Sequence, residues 1–493
     1  NYEKLMIVLG ANMGVVKNVR REGGQFVRFF HIMTIKYLRI ILKIKNNVWI
    51  KKLILICEIF YYKTIETNTE LKKQFLQFLP FWVASLITGF IAFLYSKIFT
   101  YSEKHSFYIY HQNKLYIFLL TPISFLLSWW LVKRFAPYSK GSGIPQVMAS
   151  IELAKPKTKN LIKNFLGFKI IIIKVVSSAV KVIGGGILGR EGPTIQISSS
   201  IFDLVYKYLP KWWTPISQQN ILIAGAASGL AAAFNTPLGG IIFAIEELSK
   251  FHIKYYKSPL FIAVIIAGLT AQGFGGSYLY LGYPKTDFDG WRVIIGAIIT
   301  AIVAGYFGSK MCDVLLKFMA LINSVSNKTK QVGIVICCAL VVATTIYFFG
   351  TETMGSGKEI MERTLFTENK TVEWYLPFLR MNGLIFSFGY GGAGGVFAPS
   401  LSSGASFGAF IAQLLHLTGG NANLLILIGM TAFLTGVTRA PFTSAIIIFE
   451  MTDRHSIIFF LLLGAIIASI ISNFVNKHSF YEQLKEIYIK EVK

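Results

Sequence analysis

The chain carries a series of apolar segments, and several of them are long enough to cross a lipid bilayer. Residues 81–99 and 115–135 are each about 20 residues of mostly apolar sequence, the length that a helix needs to span the hydrocarbon core. Of all residues, 54% are hydrophobic and 15% are charged, whereas soluble domains are roughly 25% charged. Because backbone groups in lipid must be satisfied within their own segment, helices are expected. The sequence therefore predicts an all-α integral membrane protein.

Several later segments are too short to cross a membrane, and glycine or proline interrupts them. Residues 146–154 and 237–248 are examples. The polar stretch that holds His105 and His111 is predicted to be a loop between the first two spans, with no metal-ligand spacing around either histidine. Residues 351–373 are polar and are predicted to be a loop or a short surface helix. Broken segments of this kind are typical of transporter binding sites.

The chain is strongly basic, with 49 Lys and Arg against 24 Asp and Glu and a net charge of +25. The basic residues cluster between apolar segments, as expected for cytoplasmic loops of a membrane protein. No basic fold motif for nucleic acid is present, so a nucleic-acid partner is not expected. Residues 1–80 hold 14 Lys or Arg and 5 Asp or Glu. We predict a basic cytoplasmic or interfacial segment at residues 1–75 and a transport domain at residues 76–493.

A glycine-proline motif occurs twice in the chain. Gly189 and Pro193 form a Gly-x-x-x-Pro pattern, and the same pattern returns 206 residues later at Gly395 and Pro399. Glycine lets the backbone approach another group closely, and proline is favoured in the first turn of a helix. The motif therefore predicts two similar helix starts in two parts of the chain.

A second motif repeats at almost the same spacing. Pro237 recurs as Pro441, 204 residues later, and a glutamate follows nine residues after each proline, at Glu246 and Glu450. Two independent motifs at nearly one spacing indicate duplicated halves, and corresponding broken segments in two halves indicate a transporter substrate site. The halves extend roughly over residues 80–275 and 290–490.

The stretch Gly-Arg-Glu-Gly-Pro at residues 189–193 places a carboxylate at a helix start. Ionisable groups at membrane depth are costly and usually functional. A helix N-terminus attracts anions through its free N–H groups and its dipole. A carboxylate that occupies an anion site, and leaves it on taking up a proton, would act as a gate. The alternative is a structural salt bridge between Glu191 and Arg190.

Three glycine-rich helix starts are present, at residues 141–145, 189–193 and 394–399. Tight helix packing also concentrates small residues and is the alternative explanation. Three such starts in one chain, two of them related by the internal repeat, favour ion binding.

These three stretches resemble the signatures of the CLC family of chloride channels and chloride/proton antiporters. They read Gly-Ser-Gly-Ile-Pro, Gly-Arg-Glu-Gly-Pro and Gly-Gly-Val-Phe-Ala-Pro, in the family's order. The resemblance covers roughly residues 80–490. It implies two inverted halves of tilted, partly broken transmembrane helices, and a homodimer in which each subunit has its own pore.

The resemblance implies a central anion site. Ser142 matches the serine that donates a hydroxyl hydrogen bond to the anion, and Tyr481 matches the tyrosine that closes this site from the inside. The backbone N–H groups of Val396 and Phe397 would complete it. Several weak donors let an anion bind and still leave. An interfacial aromatic is the alternative for Tyr481.

The resemblance also implies a more external anion site and a gate. The backbone N–H groups of Arg190, Glu191 and Gly192 would line this external site. Glu191 matches the gating glutamate, which blocks the anion path when ionised, swings out when protonated, and serves as the external proton site.

Glu247 matches the internal proton glutamate of the family's antiporters. It lies ten residues after Pro237, near a predicted helix C-terminus, where the dipole and desolvation both disfavour a carboxylate anion. The alternative is a helix-end glutamate in contact with the cytoplasm. Adjacent Glu246 is predicted to be structural, because its repeat mate Glu450 holds the same place.

The function implied is a secondary active transporter that exchanges chloride, or a similar monovalent anion, for protons. The alternative is a passive voltage- or pH-gated chloride channel, and Glu247 argues against it because channels of the family generally have an apolar residue there. Ser142 matches members that prefer chloride, whereas nitrate-preferring relatives carry proline at this position.

No enzyme activity is expected, because the sequence shows no nucleophile–base pair, metal set or cofactor loop. Chloride and protons would be substrates, and no cofactor or metal is expected. Many relatives end in a pair of nucleotide-sensing domains, whereas this chain extends 12 residues past Tyr481. We therefore expect no nucleotide partner, and a multi-pass protein of a prokaryotic inner membrane.

Overall fold

The computed structural model describes residues 69–210, 213–248, 257–276, 280–452 and 455–493. Most of the predicted basic segment at residues 1–75 lies outside these ranges. The described residues form 17 α-helices and no strand, with only two isolated β-bridges. The prediction of an all-α chain is therefore confirmed.

The first eight helices include both motifs of the first half. They are α1 (Thr69–Gln112), α2 (Ile117–Phe135), α3 (Ile144–Leu153), α4 (Phe168–Ile183), α5 (Glu191–Lys207), α6 (Gln218–Phe234), α7 (Pro237–Phe243) and α8 (Lys257–Gly275). A π-helical turn, Ala244–Leu248, continues α7.

The remaining nine helices include the repeated motifs. They are α9 (Trp291–Asn323), α10 (Lys328–Phe349), α11 (Lys358–Phe366), α12 (Leu376–Phe388), α13 (Phe397–Leu414), α14 (Gly419–Thr438), α15 (Pro441–Thr452), α16 (Ile458–Val475) and α17 (Phe480–Val492).

Seven helices in the described ranges are long and apolar enough to cross a membrane. They are α1, α2, α8, α9, α10, α14 and α16. The helices that begin at the glycine-rich motifs, α3, α5 and α13, have 10, 17 and 18 residues and are not among these seven. The chain therefore combines full spans with broken segments, as the sequence predicts.

The predicted loop around His105 and His111 is wrong, because both residues lie within α1 and are exposed on it. No glycine or proline occurs between Ser102 and Gln112 to end the helix. The helix ends just before Asn113, whose side-chain oxygen accepts a hydrogen bond from the Leu115 N–H at 2.9 Å. Polar composition alone was not a helix stop signal.

The chain divides into two compact units. One comprises residues 1–79 and 209–215, and in it Trp213 Nε1 donates a hydrogen bond to the Leu76 carbonyl at 2.7 Å. The other comprises residues 80–208 and 216–493 and holds the motifs.

Small residues bring the motif-bearing helices against their neighbours within this larger unit. A Cβ at Gly404 on α13 would clash with the Gly429 carbonyl on α14, and the reverse also holds. In the first half, a Cβ at Gly229 on α6 would lie 2.7 Å from the Ser198 Cβ on α5. Close backbone approach at small residues is a common way to pack helices in membranes. These contacts hold α5 and α13 in place.

The repeated Pro and Glu motifs of the two halves cap each other. Glu246 Oε2 accepts hydrogen bonds from the Thr443 N–H and Oγ1, both at 2.7 Å, at the start of α15. Glu450 Oε2 accepts from the Gly239 N–H at 2.7 Å, at the start of α7. A carboxylate at a helix N-terminus satisfies unpaired N–H groups and complements the helix dipole. This reciprocal contact supports the structural role predicted for Glu246.

Candidate functional site

The three glycine-rich motifs meet through backbone hydrogen bonds. The Gly141 N–H donates to the Gly392 carbonyl at 2.9 Å, and the Gly394 N–H donates to the Gly141 carbonyl at 3.1 Å. Gly189 and Gly395 exchange two hydrogen bonds, of 2.7 and 2.8 Å. The motifs are separated by 48 to 253 residues in sequence, yet they form one connected backbone frame.

The frame brings two helix N-termini together. Helix α5 begins at Glu191 and helix α13 begins at Phe397, and each has proline at its third residue. The first N–H groups of any helix have no carbonyl partner within that helix. A Cβ at Gly395 would lie 3.2 Å from the Gly192 nitrogen, so the two helix starts are in close contact. Paired N-termini of this kind suit an anion.

The Glu191 carboxylate lies at this meeting point. The side chain is 1% exposed, and the Ala398 N–H at the start of α13 faces its carboxylate. A Cβ at Gly189 would clash with Glu191 Oε2 and lie 3.2 Å from the Ala398 nitrogen. The carboxylate therefore occupies the position where the two helix starts would hold an anion.

The Arg190 guanidinium contacts α1 and, among the described residues, forms no ion pair within 4 Å of the Glu191 carboxylate. The Arg190 Nη1 donates to the Ser96 carbonyl at 3.3 Å and also contacts the Ser96 hydroxyl, on α1. The arrangement does not support the salt-bridge alternative for Glu191. The role predicted for Arg190 concerns its backbone N–H, and Arg190 directly precedes α5.

Ser142 and Tyr481 lie close together on the other side of this frame. Their side chains are 2% and 0% exposed, and within the described part of the chain neither hydroxyl has a hydrogen-bond partner. The Tyr481 hydroxyl faces the Ser142 hydroxyl, and the Tyr481 ring stacks on Phe397 with 6.3 Å between centroids. A Cβ at Gly192 would clash with Ser142 Oγ. Two buried hydroxyls thus adjoin the helix starts, and an unpaired buried hydroxyl is costly unless something accepts its proton.

Val396, which we predicted to donate its backbone N–H to the central anion, directly precedes α13 and is 1% exposed. The structure therefore brings the predicted anion-binding residues together around one point. These residues are Ser142, Arg190, Glu191, Gly192, Val396, Phe397 and Tyr481.

Glu247 lies in the π-helical turn that follows α7, and its side chain is 8% exposed. π-Helical turns are rare in proteins, and those that occur are often found at functional sites. Both Glu247 and Glu191 are within electrostatic range of Tyr481. The two predicted proton sites are thus both buried carboxyl groups.

Our sequence analysis missed Lys174, which supports the loop that carries Ser142. This fully buried lysine of α4 donates hydrogen bonds to the Ser139 carbonyl at 2.9 Å and the Gly141 carbonyl at 2.8 Å. A signal existed, because a charged residue inside an apolar membrane segment is usually functional.

Two buried glutamines also brace this loop. Gln146 Nε2 donates to the Lys140 carbonyl at 2.7 Å, and Gln196 Nε2 donates to the Tyr138 carbonyl at 3.1 Å. A glutamine within a helix gives no local signal of such a contact, because its partner lies outside that helix.

Comparison with known proteins agrees with this architecture. A model of the voltage gated chloride channel family matches residues 124–473. The chain belongs to this family, the CLC family. The predicted family and its all-α fold are thereby confirmed, and the CLC chain is a multi-pass integral membrane protein.

Solved structures share the CLC fold. A slow cyanobacterial Cl⁻/H⁺ antiporter has a TM-score of 0.71 and 23% identity, with 84% of this chain and 98% of that chain covered. A CLC-type fluoride/proton antiporter has a TM-score of 0.69 and 19% identity, with coverages of 84% and 98%. A eukaryotic CLC transporter has a TM-score of 0.67 and 22% identity, with coverages of 84% and 75%. At these identities the likeness concerns the fold.

Proposed function

We propose that this CLC protein exchanges chloride for protons across a membrane as a secondary active transporter. The observation that carries the proposal is the position of the Glu191 carboxylate at the paired N-termini of α5 and α13, next to the buried hydroxyls of Ser142 and Tyr481. An ionisable group thus lies among donors that would suit an anion.

The anion would bind at two adjoining positions. Ser142, Tyr481 and the N–H groups of Val396 and Phe397 would hold it centrally, and the first turn of α5 would hold it further out. All of these donors are neutral. Because none carries a full charge, the anion can leave as well as bind.

The proton would couple to the anion through competition for the same donors. When Glu191 is ionised, its carboxylate takes the N–H groups that chloride needs. When Glu191 is protonated, it loses its charge, binds these donors less strongly, and leaves the position to chloride. Competition for one set of donors makes opposite movement of chloride and proton the natural outcome.

Glu247 would take up and release protons at the inner side. It is a buried carboxyl group in a π-helical turn and lies within electrostatic range of Tyr481. A proton would pass between Glu247 and Glu191.

We infer chloride as the anion from the hydroxyl of Ser142, which offers one donor of the type that chloride-preferring relatives use. The solved neighbours include a Cl⁻/H⁺ antiporter and a fluoride/proton antiporter, so fluoride is the competitor to test. By family likeness we also propose a homodimer with one pore in each subunit. Residence in a prokaryotic inner membrane stays a prediction.

The deciding experiment records chloride efflux and internal pH together in liposomes that contain the purified protein. We expect an outward chloride gradient to drive protons inward against their own gradient. In Glu247→Gln, chloride flux should persist and proton movement should stop. Glu191→Gln should remove proton coupling as well, because its side chain no longer changes charge.

Glu373→Gln is the control, because Glu373 is an exposed glutamate in the segment before α12. It should leave both fluxes unchanged. Chloride flux without proton movement in the unmodified protein would contradict the antiporter and establish a passive channel. Flux of fluoride without chloride would contradict the assigned anion.

A further inference from the structure

A second lysine of α4, Lys181, is buried without a partner. Its side chain is 0% exposed, and in the described ranges its Nζ makes no hydrogen bond and no salt bridge. Lys174, two helical turns earlier on the same helix, has two carbonyl partners. Lys169 on the same helix is exposed. Lys181 is therefore unusual even among the lysines of its own helix.

Lys181 lies behind the loop that leads into α13. Its Nζ is 4.7 Å from the centroid of the Tyr390 ring. A Cβ at Gly392 would lie 2.7 Å from Lys181 Nζ and 2.9 Å from Ser128 Oγ. The amine thus contacts residues 389–396, the loop that ends in the anion-binding backbone.

The path from Lys181 to the candidate site is short. Gly392, which Lys181 contacts, accepts the hydrogen bond of Gly141, and Ser142 follows Gly141 in the chain. The path consists of the contact from Lys181 to Gly392, the hydrogen-bonded pair of Gly392 and Gly141, and the step from Gly141 to Ser142. Together these three distances span roughly 10 to 12 Å. The amine is therefore close enough to act on a bound anion through space, without contact.

A buried ammonium without a counter-charge is expensive, and burial by itself favours the neutral amine, so the charge at Lys181 needs compensation nearby. The ring face of Tyr390 offsets part of this cost by cation–π attraction. A mobile anion at the site would supply the missing counter-charge whenever it binds. No carboxylate forms a salt bridge with Lys181 in the described residues, so nothing fixed neutralises it.

We propose that Lys181 is a positioning residue that sets anion affinity, by holding a positive charge behind the loop of residues 389–396. This inference rests on the proposed function, because it assumes that chloride binds beside Ser142 and Tyr481. The charge attracts the anion without donating a hydrogen bond to it. The site thus keeps neutral donors at the anion and places its full charge out of contact.

The test measures chloride binding to the purified full chain in detergent by isothermal titration calorimetry, at constant ionic strength with isethionate as the replacing anion. In Lys181→Met we expect chloride to bind about tenfold more weakly, the effect of one charge at roughly 11 Å and an effective dielectric constant of about 20. Lys169→Met is the matched control and should bind chloride like the unmodified protein.

Thermal unfolding separates this role from a structural one. Replacing an unpartnered buried charge by an apolar side chain of similar length is often stabilising. We therefore expect Lys181→Met to unfold at the same or a higher temperature, while its chloride affinity falls. Lys181→Gln serves as the second variant, should Lys181→Met not fold, with the same expected loss of affinity.

Unchanged chloride affinity in the folded variant would overturn the inference. A parallel loss of affinity and thermal stability would also overturn it, since a packing role explains both. An unmodified protein that binds no chloride would instead refute the proposed function, so the two failures are distinguishable.

Discussion

At the scale of single residues, the site depends on glycines as much as on the residues whose side chains line it. Gly192 has Ser142 Oγ directly where a Cβ would stand, and Gly143 before α3 has a φ of 106°, which favours glycine. Both glycines let the backbone of one motif approach another. The donors can converge only because these positions carry no side chain.

Gly192→Ala should reduce chloride flux in liposomes at least tenfold, because the new methyl group displaces the Ser142 hydroxyl from the anion position. Gly333→Ala is the control, since nothing lies within 4 Å of a Cβ there. Alanine at that exposed helical position should leave flux unchanged and stabilise the helix by up to about 1 kcal/mol. Equal flux in the two variants would contradict the predicted placement of Ser142.

Ser142→Pro should shift anion preference from chloride toward nitrate. Proline removes the hydroxyl donor, and nitrate-preferring relatives carry proline at the matching position. The measurement is the ratio of nitrate to chloride flux under equal gradients, which we expect to rise severalfold. An unchanged ratio would show that the hydroxyl does not select the anion.

At the scale of helices, the N-termini of broken segments meet other parts of the chain. Helices α5 and α13 begin at the proposed anion position, whereas α7 and α15 begin against glutamates of the opposite half. Each of these starts leaves N–H groups that need an acceptor. In the first pair the proposed acceptor is a mobile anion or Glu191, and in the second it is a fixed carboxylate.

Glu246→Gln and Glu450→Gln should both lower stability by about 1 to 2 kcal/mol, because each weakens a capping contact at a helix start. Their transport should differ. Glu246 adjoins Glu247 in the π-helical turn, so Glu246→Gln should also reduce proton coupling, whereas Glu450→Gln should retain it. Thermal unfolding and the paired flux assay check this, and equal coupling in both variants would contradict it.

At the scale of the whole molecule, α14 is the central helix of the second half. Of its most apolar window, 94% is buried in protein, against 28 to 50% for the other six candidate spans. It packs against α9, α13 and α16, so protein rather than lipid surrounds it. The other spans leave apolar side chains exposed, as lipid-facing helices do.

Chloride should raise the unfolding temperature of the whole protein, because a ligand that binds only the folded state stabilises it. At 100 times its dissociation constant the gain is about 2.7 kcal/mol. We expect a smaller gain when Ser142→Ala and Tyr481→Phe are combined, since two donors are lost. The check is thermal unfolding at several chloride concentrations and fixed ionic strength, and an equal gain in both proteins would count against the central site.

The sequence by itself determined the membrane class, the broken helices, the duplicated halves and the three motifs, because these depend on local apolar length and on glycine and proline positions. Only the tertiary structure decided that Gly141, Gly189 and Gly395 share one frame, that Glu246 and Glu450 cap opposite halves, and that Lys181 has no hydrogen-bond or salt-bridge partner among the described residues. These contacts join residues up to 253 positions apart, and helical periodicity does not specify which distant backbone group will accept a given hydrogen bond. The continuous α1 shows the same limit, since polar composition suggested a loop where only a stop residue would have ended the helix.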